Sequence, residues 1–120
     1  MFLMYRLSLI IDEIYLKYLP LAKRAGLTLN LDFPDPTLKV AQGEKVKKGL
    51  EKSLKTMLKK SFKGEITIRV TQDGIEIEDS GTVLSKTACL LLSNDFLTVK
   101  SKVGFGTTVV IKFKPLVDIV

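Results

Sequence analysis

The side chains in this chain that could do chemistry are mainly lysines. Eight of them (Lys45, Lys47, Lys48, Lys52, Lys55, Lys59, Lys60 and Lys63) fall between Glu44 and Gly64, where the only acids are Glu44 and Glu51. That segment carries +6, equal to the formal charge of all 120 residues. Clustered amines hold anions: nucleic acid, a nucleotide, an anionic membrane surface or an acidic protein. Other chemistries are excluded by residue type. The chain has no histidine, so it has no imidazole base, no imidazole metal ligand and no phosphoaccepting histidine. Cys89 is its only cysteine, which excludes an intrachain disulfide and a cysteine cluster for zinc. Within Ala88-Cys-Leu-Leu-Leu92 that thiol reads as buried and structural. Gly104-Phe-Gly106 lies between two alternating apolar runs and does not lead into a helix, so it reads as a turn, not a phosphate cradle.

The lysines need a helix to line them up. Val46, Leu50, Leu54, Met57 and Leu58 recur at helical spacing, which predicts a helix over about 44–61, stopped by Lys63-Gly64. At 100° per residue, Lys48, Lys52, Lys55 and Lys59 lie within about 60° of one another, opposite Val46, Leu50 and Met57. The face suits an acidic partner, and it suits plain solvation equally well. An earlier helix is expected over residues 3–25, kinked or restarted at Pro20 and ended by Lys23-Arg-Ala-Gly26. Strands follow from alternation at Leu27–Phe33, Leu38–Val40, Ile66–Val70, Ile75–Ile77, Phe96–Val99 and Thr107–Phe113. Asp73-Gly74 between two alternating runs marks a hairpin, and Glu78–Thr82 reads as a turn. A short, nearly all-apolar helix is expected over 84–93.

These elements make one α+β domain over residues 1–120: a two-layer sandwich with a mixed sheet and three helices on one face. Arg6 interrupts the apolar N-terminus early, Asp12 and Glu13 follow where an apolar run should continue, and no stretch reaches about 18 apolar residues, which argues against an export signal or a spanning helix, so a cytoplasmic chain is expected. The apolar ends, Met1–Tyr5 and Leu116–Val120, would serve either a homodimer contact or the edge of the core.

In this order the residues resemble the ATP-binding catalytic domain of sensor histidine kinases, the GHKL or Bergerat fold. The resemblance runs from about Leu7 to Pro115. It rests on Thr98-Val-Lys-Ser-Lys-Val-Gly-Phe-Gly-Thr-Thr followed by an alternating strand, and on Ala22-Lys-Arg-Ala-Gly-Leu-Thr-Leu-Asn-Leu-Asp32. Ile77-Glu-Asp-Ser-Gly81 and Leu84-Ser85 before an apolar helix complete it. The resemblance implies an adenine-reading role for Asp79, with Gly81 in the same box, where the residues alone read as a turn.

Two departures from the family are visible. Its Mg²⁺-holding asparagine and an upstream partner would fall at Thr56 and Lys52, or at Met57 and Ser53 in the neighbouring register, and neither supplies an asparagine. A hard cation takes oxygen ligands, and a lysine repels it. The family's lid and glycine-rich box are missing, since Gly81 reaches Leu84-Ser85 after two residues. The resulting expectation is a non-catalytic, ATP-independent module with no catalytic residue, metal or cofactor. Asp79 and Gly81 would remain as a vestigial adenine site. Lys48, Lys52, Lys55 and Lys59 would receive an acidic protein, such as a two-component signalling protein or a transcription regulator. Two alternatives stay open, a residual ATP- or ADP-binding domain and a basic nucleic-acid-binding protein.

Overall fold

The computed structural model describes residues 5–34, 37–40, 43–60, 64–71, 74–79, 97–102 and 106–112. In chain order these form β1 (Tyr5–Arg6), α1 (Leu7–Arg24), β2 (Leu27–Asp32), β3 (Lys39–Val40) and α2 (Gly43–Lys60). β4 (Gly64–Val70), β5 (Gly74–Asp79), β6 (Leu97–Lys102) and β7 (Gly106–Lys112) follow. A five-stranded sheet has the order β2-β4-β5-β7-β6. Its β2–β4 pair is parallel and the others are antiparallel, so the sheet is mixed. The two long helices pack on one face, giving the expected α+β sandwich.

α1 buries Leu7, Ile10, Ile11, Ile14, Tyr18 and Ala22, the periodic stripe read from the sequence. It starts at Leu7, not at residue 3, because Tyr5 and Arg6 pair with Val40 and Lys39 as a two-stranded ribbon. The Leu7 N–H donates to the Leu38 carbonyl (3.0 Å), so tertiary structure satisfies one of the helix's orphan donors. Pro20 neither ends nor restarts α1, which runs on to Arg24. Pro20 sits on the exposed side, in the last turn and a half, where little helix remains to be broken. Gly26, at φ 75°, closes the helix in the left-handed conformation expected of it.

α1 and α2 run side by side in parallel. Lys17 meets Glu51 (2.8 Å), and Lys47 meets Glu13 (3.0 Å) one turn earlier on both helices. Beneath them the helix-facing side chains of the sheet form rows. One row is Leu31, Ile68, Ile77, Val109 and Val99; the next is Val70, Ile75, Ile111 and Leu97. Most of these are fully buried, each worth about 1.5–3 kcal/mol. The opposite face carries polar side chains. There Arg69 reaches Glu76 (3.2 Å), Glu78 (3.5 Å) and Asp32 (3.7 Å) across three strands.

β4 and β5 form the hairpin that Asp73-Gly74 signals, with Val70 opposite Ile75. Gly74 is needed there for space: a Cβ would stand 2.4 Å from the Ile111 carbonyl oxygen. Glu78 and Asp79 continue β5 instead of turning, because β4 and β7 pair with them on either side. The helix expected over 84–93, and with it Gly81 and Cys89, lies outside the described residues, as do Met1–Met4 and Leu116–Val120. Two helices are therefore seen among the described residues, against three expected.

Candidate functional site

Strand alternation sets Ile75, Ile77 and Asp79 on the helix-facing side of β5. Asp79 is the last residue of the strand and is fully buried. It stands opposite Ile66 on one side and Thr107 on the other. Thr107 is also fully buried and stands opposite Ser101. The Ser101 and Thr107 hydroxyls are 2.8 Å apart, and Ser101 Oγ also donates to the Gly106 carbonyl (3.5 Å). Three oxygen-bearing side chains thus sit side by side on β5, β7 and β6, at one end of an otherwise aliphatic face. A carboxylate out of water needs a partner, and Asp79 has one, as do Thr107 and Ser101. Such a row can accept a hydrogen bond from an amine and offer a hydroxyl proton beside it.

Asp79, a site residue expected from the sequence, is thus placed in a strand, while Gly81 lies outside the described residues. Thr107 and Ser101 were not singled out from the sequence. The signal was present in Ser101-Lys-Val-Gly-Phe-Gly-Thr-Thr108, which reads as a turn until the register puts Thr107 beside Asp79.

The second candidate surface is α2. Val46, Leu50, Ser53, Leu54 and Met57 are fully buried, with Leu58 half-buried. Lys48, Lys52, Lys55 and Lys59 are all exposed, and Lys45 joins them. Between the two faces, Lys47 and Glu51 turn to α1. Glu51 is held below the usual carboxylate range by its hydrogen bond from Lys17, with Lys55 and Lys47 adding attraction. Lys17 and Lys47 are raised by their hydrogen bonds to Glu51 and Glu13.

Asp79 and the lysines do not converge. Asp79 lies on the covered face of the sheet, whereas the lysines point away from the side of α2 that packs on it. Of the two registers considered for a metal-holding pair, Ser53 and Met57 are fully buried, and Ser53 Oγ donates to the Gly49 carbonyl (2.7 Å). Lys52 is exposed, and Thr56 Oγ1 donates back to the Lys52 carbonyl (2.9 Å). Among the described residues no three acids or cysteines gather as a metal site, and no helix is long and apolar enough to cross a membrane.

No protein-family model matches the chain, and no curated protein sequence does. Solved structures do. Histidine kinase AdeS of Acinetobacter baumannii superposes with a TM-score of 0.71 at 15% identity, over 95% of this chain and 67% of that one. The catalytic domain of histidine kinase ThkA, in a nucleotide-free form, gives 0.70 at 11% identity, over 95% of each chain. Full-length ShkA in complex with AMPPNP gives 0.74 at 12% identity, over 98% of this chain and 32% of that one. The fold is that of the histidine kinase ATPase domain.

Proposed function

We propose that this chain is a non-catalytic, ATP-independent interaction module of the cytoplasm, built on the histidine kinase ATPase fold. It docks an acidic protein, of the two-component signalling or transcription-regulator kind, through the lysine face of α2. The observation that carries the reading is what α2 offers in place of metal ligands. Its exposed face is a lysine row, and in one register the two ligand positions fall at Thr56 and Lys52, an amine where a hard cation needs an oxygen. In the other register Ser53 is engaged with its own helix and Met57 is core. A Mg²⁺-bound triphosphate loses its cation ligands on such a helix.

A second reading has an observation of its own. Asp79, Thr107 and Ser101 form a polar row suited to a heterocyclic amine, and ShkA is a fold neighbour whose structure holds AMPPNP. On that reading the chain retains nucleotide binding without hydrolysis.

Titration of ATP, with and without Mg²⁺, followed by backbone amide NMR separates the two. The interaction-module reading expects no saturable shift at Asp79, Gly81 or Thr107. Saturation at those amides establishes the nucleotide-binding reading in its place.

A further inference from the structure

The exposed lysines of α2, Lys45, Lys48, Lys52, Lys55 and Lys59, follow one another at intervals of three, four, three and four residues. That alternation keeps side chains on one straight seam facing a neighbouring helix. At 1.5 Å per residue the seam is about 21 Å long, with a lysine about every 5 Å. It is one side chain wide. Glu44 and Glu51 border it toward α1, and half-buried Thr56 borders the other side. No aromatic residue interrupts it.

We infer that this seam docks an acidic amphipathic helix of a partner protein, whose aspartates or glutamates repeat at the same three- and four-residue intervals. The inference rests on the interaction-module reading above and names its partner's form. Two helices lying side by side share one spacing, so each carboxylate meets one lysine, as flanking charges do in coiled coils. Nucleic acid fits less well. A duplex spreads phosphates over a broad surface, about one per 1.7 Å of axis, and would press some of them against Glu44 and Glu51. A single strand binds on aromatic platforms, which the seam lacks. A second copy offers no matching row among the described residues. The outer face of α1 has only Asp12 and Glu13, and Glu13 already holds Lys47. Of the carboxylates on the open sheet face, Asp32, Glu76 and Glu78 surround Arg69, which leaves Glu65 as a single further acid and no row.

The test uses the full chain and three fluorescent probes. The first is a lactam-stapled helical peptide with five glutamates at three-four-three-four intervals. The second is an isomer of the same composition and staple, with the glutamates wound around the helix. The third is a DNA duplex. Fluorescence anisotropy should show the patterned peptide binding at least about tenfold tighter than its isomer. Lys48→Glu with Lys55→Glu should abolish that preference, and a peptide with lysine in place of only the two glutamates that face positions 48 and 55 should bind the double variant. Equal binding of the two peptides, tighter binding of the duplex, or no binding at all overturns the seam. The wild-type peptide comparison decides the matter even if the double variant misfolds. The ATP titration judges the interaction-module reading separately, so the two failures are distinguishable.

Discussion

Two glycines that look alike in the sequence should respond to alanine with opposite signs. At Gly74 a Cβ would stand 2.4 Å from the Ile111 carbonyl oxygen, with the Ile111 carbonyl carbon and Lys112 Cα both at 3.3 Å. All three are backbone atoms of β7, so no side chain can swing aside. Carbon and carbonyl oxygen normally stay about 3.3 Å apart, so β5 and β7 must separate by roughly 1 Å. Overpacking of this kind costs about 1–3 kcal/mol, and a weakened ladder bond adds about 1 kcal/mol. Gly74 also anchors the hairpin, its carbonyl accepting from the Thr71 N–H (2.8 Å). Gly74→Ala should therefore destabilise by about 3 kcal/mol, which at about 4 °C per kcal/mol for this length lowers Tm by about 12 °C. At Gly49 the same Cβ would meet Ile111 Cδ1 and Leu97 Cδ2 at 3.4 Å, ordinary contact with side-chain tips. Gly49 lies inside α2, where alanine is favoured by about 1 kcal/mol. Gly49→Ala should raise Tm by about 2–4 °C. Urea and thermal unfolding of both variants, with amide spectra to confirm the native fold, read the difference. A Gly74→Ala protein that loses less than about 1 kcal/mol would refute the close approach of β5 and β7.

Three further outcomes are expected. Lys52 has Lys48 and Lys55 four and three residues away on the same helix face, so Lys52→Glu converts those two repulsions into attractions. It should stabilise α2 by about 1 kcal/mol in about 0.01 M salt and by much less in about 1 M; a loss of stability, or an effect indifferent to salt, contradicts the seam's self-repulsion. The Tyr18 hydroxyl is buried with no hydrogen-bond partner, and burial raises its pKa. Tyr18→Phe should therefore leave stability unchanged or raise it by about 1 kcal/mol, whereas a clear loss in urea melts would reveal a partner. The Glu51 carboxyl lies below its ordinary 4.5 because of the hydrogen bond from Lys17. Its stabilising share is present above that value and lost as pH falls through the lower folded value. Glu51→Gln should cost stability at neutral pH, and the gap to the wild type should close in strongly acidic buffer; a gap independent of pH counts against the bridge.

The helices and strands were legible where one physical pattern dominates. α2 followed from its apolar spacing, and the exposure of Lys48, Lys52, Lys55 and Lys59 followed from the same angle arithmetic. The β4–β5 hairpin followed from Asp73-Gly74. The start of α1 was not legible, because the ribbon partner of Tyr5 and Arg6 is Lys39–Val40, more than thirty residues away. Glu78 and Asp79 read as a turn by their residue types, yet pairing with β4 and β7 holds them extended.

Composition by itself excluded imidazole and intrachain disulfide chemistry, and the order of residues put +5 of the chain's net +6 within α2. A missing imidazole is missing in any fold, and helical periodicity is a local property of the chain. Tertiary structure alone decided that Asp79, Thr107 and Ser101 share a row, because register between strands depends on partners distant in sequence. It also decided that this row and the lysine seam lie on different sides of α2, since only packing determines which side of a helix is covered.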